Sequence, residues 1–159
     1  MPSLNQFVMS VMNSSLVCVD ASLVVRFLVP GPFRLETKAL FAVWEQAGTP
    51  LLAPGLFEYE VVASLRRMVH QKVLLPAEGE VAFAGFERIN VSLVHDRSLH
   101  ALAWQLAKHF KQSRTYDMTY LAVAQLNDCA FWTADERLYN SVRHELAWVN
   151  WIGISAPKS

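Results

Sequence analysis

Cysteine is nearly missing from this chain of 159 residues, which has only Cys18 and Cys129. Both lie inside apolar runs, so neither reads as half of a disulfide framework or as a thiolate metal ligand. They read as packed thiols in a reducing compartment. Charge is scarce as well. Acidic and basic residues make up 18% of the chain, where about 25% is usual for a soluble domain. Fourteen Lys and Arg balance fourteen Asp and Glu, for a net charge of zero and a pI near 7.0. That balance removes any global pull toward polyanions, so contact with nucleic acid has to come from local patches. No run reaches the roughly 18 apolar residues of a membrane span, and residues 1–15 lack the basic start and apolar core of a secretory signal. The expected location is the cytoplasm, with no membrane contact.

Hydrophobic residues are plentiful, at 53%. One sizeable core accounts for part of that share, and a surface covered by a partner, in an oligomer or a heteromeric complex, for the rest. Short apolar runs alternate with longer stretches of helical period, which is the pattern of a parallel sheet covered by helices on both faces. The expected fold is α/β: a three-layer α/β/α sandwich around a mostly parallel sheet of about five strands. Strands are expected at 16–20, 50–53, 91–94, 129–133 and 147–152. Helices are expected at 22–28, 34–47, 56–71, 77–86, 97–110, 116–126 and 136–142. In the helix at 56–71, the 3.6 period puts Val61, Val62, Leu65, Met68 and Val69 on one face, with Glu60 at its margin. One domain is expected over residues 16–152, with a flexible leader at 1–15 and a tail at 153–159.

Four acids stand at the edges of apolar segments. Asp20 follows Leu16-Val17-Cys18-Val19, a strand end where open α/β sheets put their ligand sites. It is also a good N-cap for the next helix, and both readings can hold at once. Asp135, after Phe131-Trp132-Thr133, repeats that geometry. Glu60 and Glu58 lie about 200° apart on a helix, so only one can face Asp20. Glu60 is assigned to the site and Glu58 to the helix dipole. Asp117 sits in a first helical turn with Thr115 as N-cap, where the dipole alone justifies an acid. Carboxylates gathered in one pocket repel one another, and a fold that collects them usually offers a cation. Asp96 and Asp128 also flank strands, but Asp128 is at the wrong edge and Asp96 is left out.

The five histidines show no metal-ligand spacing. Two basic patches, Arg66, Arg67, His70 and Lys72, and Lys108, His109, Lys111 and Arg114, fall on helix ends and read as cations on the dipole. Asp20 alone would also suit a receiver domain or a haloacid-dehalogenase-like phosphatase. No lysine ends a late strand, as a receiver requires.

The segments Val17-Cys18-Val19-Asp20-Ala21-Ser22, Ala53-Pro54-Gly55-Leu56 leading to Glu60-Val61-Val62, Tyr116-Asp117-Met118-Thr119-Tyr120-Leu121-Ala122, and Thr133-Ala134-Asp135-Glu136-Arg137-Leu138 resemble the successive motifs of PIN domains, most closely those of VapC-type toxins. The resemblance spans about residues 16–142. It implies a pocket of Asp20, Glu60, Asp117 and Asp135 that binds Mg²⁺ or Mn²⁺, with Ser22 and Thr133 as supporting hydroxyls. It also implies endoribonuclease activity on RNA, a small VapB-like antitoxin as partner, and a homodimer. Tyr116 or Phe33 could stack on RNA bases. One departure stands out: where the family often has Asn three residues after the Glu, this chain has Ala63, followed by Ser64. The alternative is a catalytically weak PIN-like module that binds RNA or protein.

Overall fold

Val17, Cys18 and Val19 are wholly inaccessible to solvent, as befits a central parallel strand covered on both faces. In the computed structural model, which describes residues 15–154, this is β1 (Val17–Val19), followed by α1 (Ala21–Leu28) and α2 (Arg34–Ala47). Next come β2 (Leu51–Pro54), α3 (Leu56–His70), α4 (Pro76–Phe86), β3 (Val91–Val94), α5 (Ser98–His109) and α6 (Tyr116–Leu126). The described chain ends with β4 (Ala130–Thr133), α7 (Glu136–Val142), β5 (Val149–Trp151) and a 3-10 turn, Ile152–Ile154. The expected leader lies outside the described residues except for Ser15, as does the expected tail except for Gly153 and Ile154.

The five strands form one sheet in the order β3-β2-β1-β4-β5, and every neighbouring pair is parallel. The chain first steps from β1 to β2 to β3, then returns to β4 and β5 on the other side of β1. Right-handed crossovers therefore put α1–α4 on one face and α5–α6 on the other. The packing agrees: α1 touches α2, α3 and α4, while α5 lies on α6, which covers β1, β2 and β4. Successive residues of β4 feed opposite faces. Trp132 meets Trp44 of α2 edge-on at 6.1 Å, and Phe131 meets Tyr120 of α6 at 6.2 Å. Each large side chain fully buried in this way contributes roughly 1.5–3 kcal/mol.

The elements match the sequence expectations to within two residues at each end, and the differences have local causes. Pro54 extends β2 past its expected end. It pairs with Val94 beyond the point where β1 stops pairing at Leu52, so the N–H that proline lacks is not needed by β1. Asp20 leaves β1 to become the N-cap of α1. In α3 the buried stripe is Phe57, Val61 and Leu65, at intervals of four. Val62 is 38% exposed because the helix turns it toward a groove shared with Phe83 of α4. The two cysteines are buried and unpaired. Among the described residues, no helix is long and apolar enough to cross a membrane.

Candidate active site

β1 and β4 lie side by side where the strand order reverses, the place where parallel sheets open a crevice at their C-terminal edge. β1 runs into Asp20 there, and β4 into Thr133, Ala134 and Asp135. Asp20 is 5% exposed. Its Oδ1 accepts from the Leu23 N–H at 2.9 Å and from the Ser22 hydroxyl at 2.7 Å. Its Oδ2 accepts from the Thr133 hydroxyl at 2.5 Å. The two hydroxyls accept in turn, Ser22 Oγ from the Ala134 N–H at 3.0 Å and Thr133 Oγ1 from the Asp135 N–H at 2.9 Å. Asp20 is thus both the cap of α1 and the centre of a network stitching β1 to β4. Three of roughly four lone-pair directions on its carboxylate are taken.

Asp135 caps α7 by accepting from the Leu138 N–H at 3.1 Å, which repeats the role of Asp20 one strand over. Glu60 reaches in from α3, where its Oε1 accepts from the buried Tyr120 hydroxyl at 3.3 Å. Glu58 stays exposed on the first turn of the same helix. Asp117 projects from the first turn of α6. Thr115 precedes it at the N-cap position but makes no side-chain cap bond. Its backbone conformation is already helical, and its carbonyl instead accepts from the Thr119 hydroxyl. Thr115 thus holds the expected N-cap position without capping through its side chain.

The acids act on one another. Burial raises the Asp20 pKa to about 6, with a further push from Asp117. Burial, then Asp117 and Asp20, raise Glu60 to about 7. Asp117 is raised by burial and by Asp135, and is lowered only by Arg137. The Arg137 guanidinium stands 3.8 Å from Asp117 and 3.9 Å from Asp135 but is largely exposed, so it offsets little of the repulsion. Among the described residues, no three His, Cys, Asp or Glu side chains stand close enough together to clasp an ion directly.

Residues 17–143 match the sequence profile of the PIN domain. The chain belongs to the PIN domain family. Curated relatives of this PIN domain include VapC ribonuclease Mb0985 of Mycobacterium bovis and ribonuclease VapC9 of Mycobacterium tuberculosis. Each is 30% identical over 92 residues, covering 58% of this chain and 70% of the relative. In this PIN domain the four acids expected from the sequence come from four different helices or helix caps, and Asp20, Glu60 and Asp117 each feel the charge of a neighbouring acid. Asp96 is instead fully exposed and holds the Ser98 N–H and hydroxyl, and Asp128 lies before β4 at the opposite edge. Two participants escaped the sequence reading. Tyr120, three residues after Asp117, and Arg137, two after Asp135, are both within one helical turn of an acid, and that spacing was the available signal.

Proposed function

We propose that this PIN domain is a metal-dependent endoribonuclease that acts as the toxin of a toxin–antitoxin pair, with Asp20, Glu60, Asp117 and Asp135 as its catalytic acids. The observation that supports the reading is the coupling of Asp20, Glu60 and Asp117, whose pKa values are raised by burial and by neighbouring acids, with only the exposed Arg137 beside Asp117 and Asp135. Similarity to VapC ribonucleases supports the same chemistry.

The donor set suits Mg²⁺ or Mn²⁺. It consists of hard carboxylate oxygens and leaves histidine and thiolate aside. Because the acids do not form a ready-made clasp, the ion would keep several of its waters, as Mg²⁺ usually does. When bound, the cation supplies a water of lowered pKa and offsets negative charge on the phosphate oxygens. Ser22 and Thr133 hold Asp20 in one orientation, and Tyr120 holds Glu60. The exposed ring of Tyr116, next to Asp117, offers a stacking platform for an unpaired base. Phe33, half-buried against Trp151 at 5.9 Å, is a packing residue.

The antitoxin partner rests on the family resemblance and on apolar exposure. Tyr59, Val62 and Phe83 line a groove of about 830 Å³ between α3 and α4, which suits an amphipathic segment. A homodimer and a cytoplasmic location complete the reading. One observation favours a catalytically weak binding module instead: Ala63 is exposed on that groove and brings no polar group to Glu60.

The test is cleavage of single-stranded RNA in Mg²⁺ or Mn²⁺ buffer. Wild type should cut, EDTA should stop it, and Asp20→Asn or Asp117→Asn should abolish it while the circular dichroism spectrum is retained. Cleavage that persists in EDTA, or in both variants, would sink the proposal.

A further inference from the structure

A second recess opens at the same C-terminal edge of the sheet. It has a volume of about 350 Å³ and is walled by Pro54, Gly55, His95, Asp96, Arg97, His100 and Thr119, among others. Pro54 and Val94 end β2 and β3, so the recess lies beside the β1–β4 crevice. Leu56, also on its wall, is four residues before Glu60 on α3, about 6 Å along the axis. Thr119 is two residues after Asp117 on α6, about 200° around the axis, so those two side chains leave opposite faces of the helix. Glu60 therefore lies about one helical turn from the lining.

We infer that this recess is the subsite for an RNA phosphate next to the one being cut, with Arg97 supplying the charge and His95 and His100 supplying imidazole N–H donors. The inference rests on the ribonuclease reading. Three observations carry it. First, the side chains of His95, Arg97 and His100 have no hydrogen-bond or ion-pair partner among the described residues. Asp96, on the same wall, spends its Oδ1 on the Ser98 N–H and hydroxyl. Second, Arg97 occupies the N-cap position of α5, where a cation meets the positive end of the helix dipole. Asp96 supplies the carboxylate for that helix start through the Ser98 N–H, which leaves the Arg97 guanidinium to the recess it lines. Third, His95 is seated against backbone. A Cβ at Gly55 would come within 2.6 Å of its Cε1, so glycine there lets the ring lie on the start of α3. The recess is large enough for a small ligand, and a guanidinium matches the fork of two phosphate oxygens.

The experiment measures binding of a fluorescein-labelled single-stranded RNA by anisotropy, with EDTA present so that no variant can cleave, across a series of salt concentrations. Arg97→Ala should bind about tenfold more weakly and lower the salt slope by about 0.7, the share of one phosphate contact on a single strand. His100→Ala should weaken binding without changing that slope. Lys38→Ala, on the opposite edge of the sheet beside Thr49 and Pro50, removes the same charge and should bind like wild type. Melting temperatures confirm folding, since the substituted side chains are exposed. Arg97→Ala binding like wild type, or Lys38→Ala losing as much, overturns the subsite. Separate Mg²⁺ assays keep the two readings apart. Wild type that cleaves RNA with Arg97→Ala unaltered in binding removes only the subsite. Loss of binding in Arg97→Ala, with a wild type that never cleaves, supports the subsite and removes the ribonuclease reading. A wild type that neither binds nor cleaves removes both.

Discussion

The carboxylate of Asp20 caps α1 and takes hydroxyl bonds from Ser22 and Thr133, yet burial and Asp117 push its pKa to about 6. Capping wants an acceptor there, whereas the neighbouring acids oppose a charge. Asn meets the first demand as well as Asp and escapes the second. Asp20→Asn should therefore abolish cleavage while leaving the metal-free protein at pH 8 as stable as wild type or more so. The charge it removes accounts for on the order of 2–3 kcal/mol, less whatever the charged hydrogen bonds return. Urea denaturation measures this, and a variant several kcal/mol weaker than wild type would contradict it. Thr133→Val keeps the shape but strips one hydroxyl from Asp20 and the acceptor from the Asp135 N–H. Leaving those buried groups unmatched should cost about 1–3 kcal/mol, again read by urea denaturation. Asp20 and Asp135 were legible in the sequence because each ends an apolar strand. The hydroxyls' reciprocal bonds across β1 and β4 were not, since they join residues more than a hundred positions apart.

At the level of elements, α3 and α4 pack closely because α4 carries Gly79. A Cβ there would meet Val69 Cγ2 at 2.4 Å. Ala improves helix propensity by up to about 1 kcal/mol over Gly, but overpacking costs roughly 1–3 kcal/mol. Gly79→Ala should therefore lower the melting temperature, and adding Val69→Ala should recover much of the loss. A Gly79→Ala protein more stable than wild type would refute this close contact. The element pattern itself was largely readable, because buried parallel strands are continuous apolar runs and their helices have clear breaks at Gly48 and Pro30-Gly31-Pro32. Val62 was misplaced because a 3.6-period face has soft margins. Which side of Val61 meets the sheet and which meets α4 depends on a tertiary contact with no local trace.

For the molecule as a whole, the acid pocket sets a pH dependence. Asp20 and Glu60 have folded-state pKa values of about 6 and about 7, against about 4 in an unfolded chain. Between those limits the folded protein binds more protons than the unfolded one, so metal-free stability falls as pH rises. Thermal melts without metal should show the protein more stable at pH 5.5 than at pH 8. Glu60 is only half-buried, and screening limits its share to about 1 kcal/mol. Mg²⁺ should reverse the trend. At a hundred times its dissociation constant it would add about 2.7 kcal/mol, and more of that gain should appear at pH 8, where no proton competes. A melting temperature indifferent to both pH and Mg²⁺ would remove the electrostatic basis of the site. The sequence motifs brought the four acids into view in order. The exposure of Arg137 and the spacing of the acids depend on how the helices settle on the sheet, and no motif records that.

The hydrogen bond between Asp20 and Thr133 spans 113 residues, and β4 is the last strand to join β1. A ribosome still translating the chain has already released Asp20 and Glu60 before Thr133 exists. Until β4 emerges, one edge of β1 is open and Asp20 Oδ2 lacks its hydroxyl. Such a distant pairing forms late, after a large loop has closed. The order of synthesis thus withholds a complete β1–β4 crevice from the half-made protein.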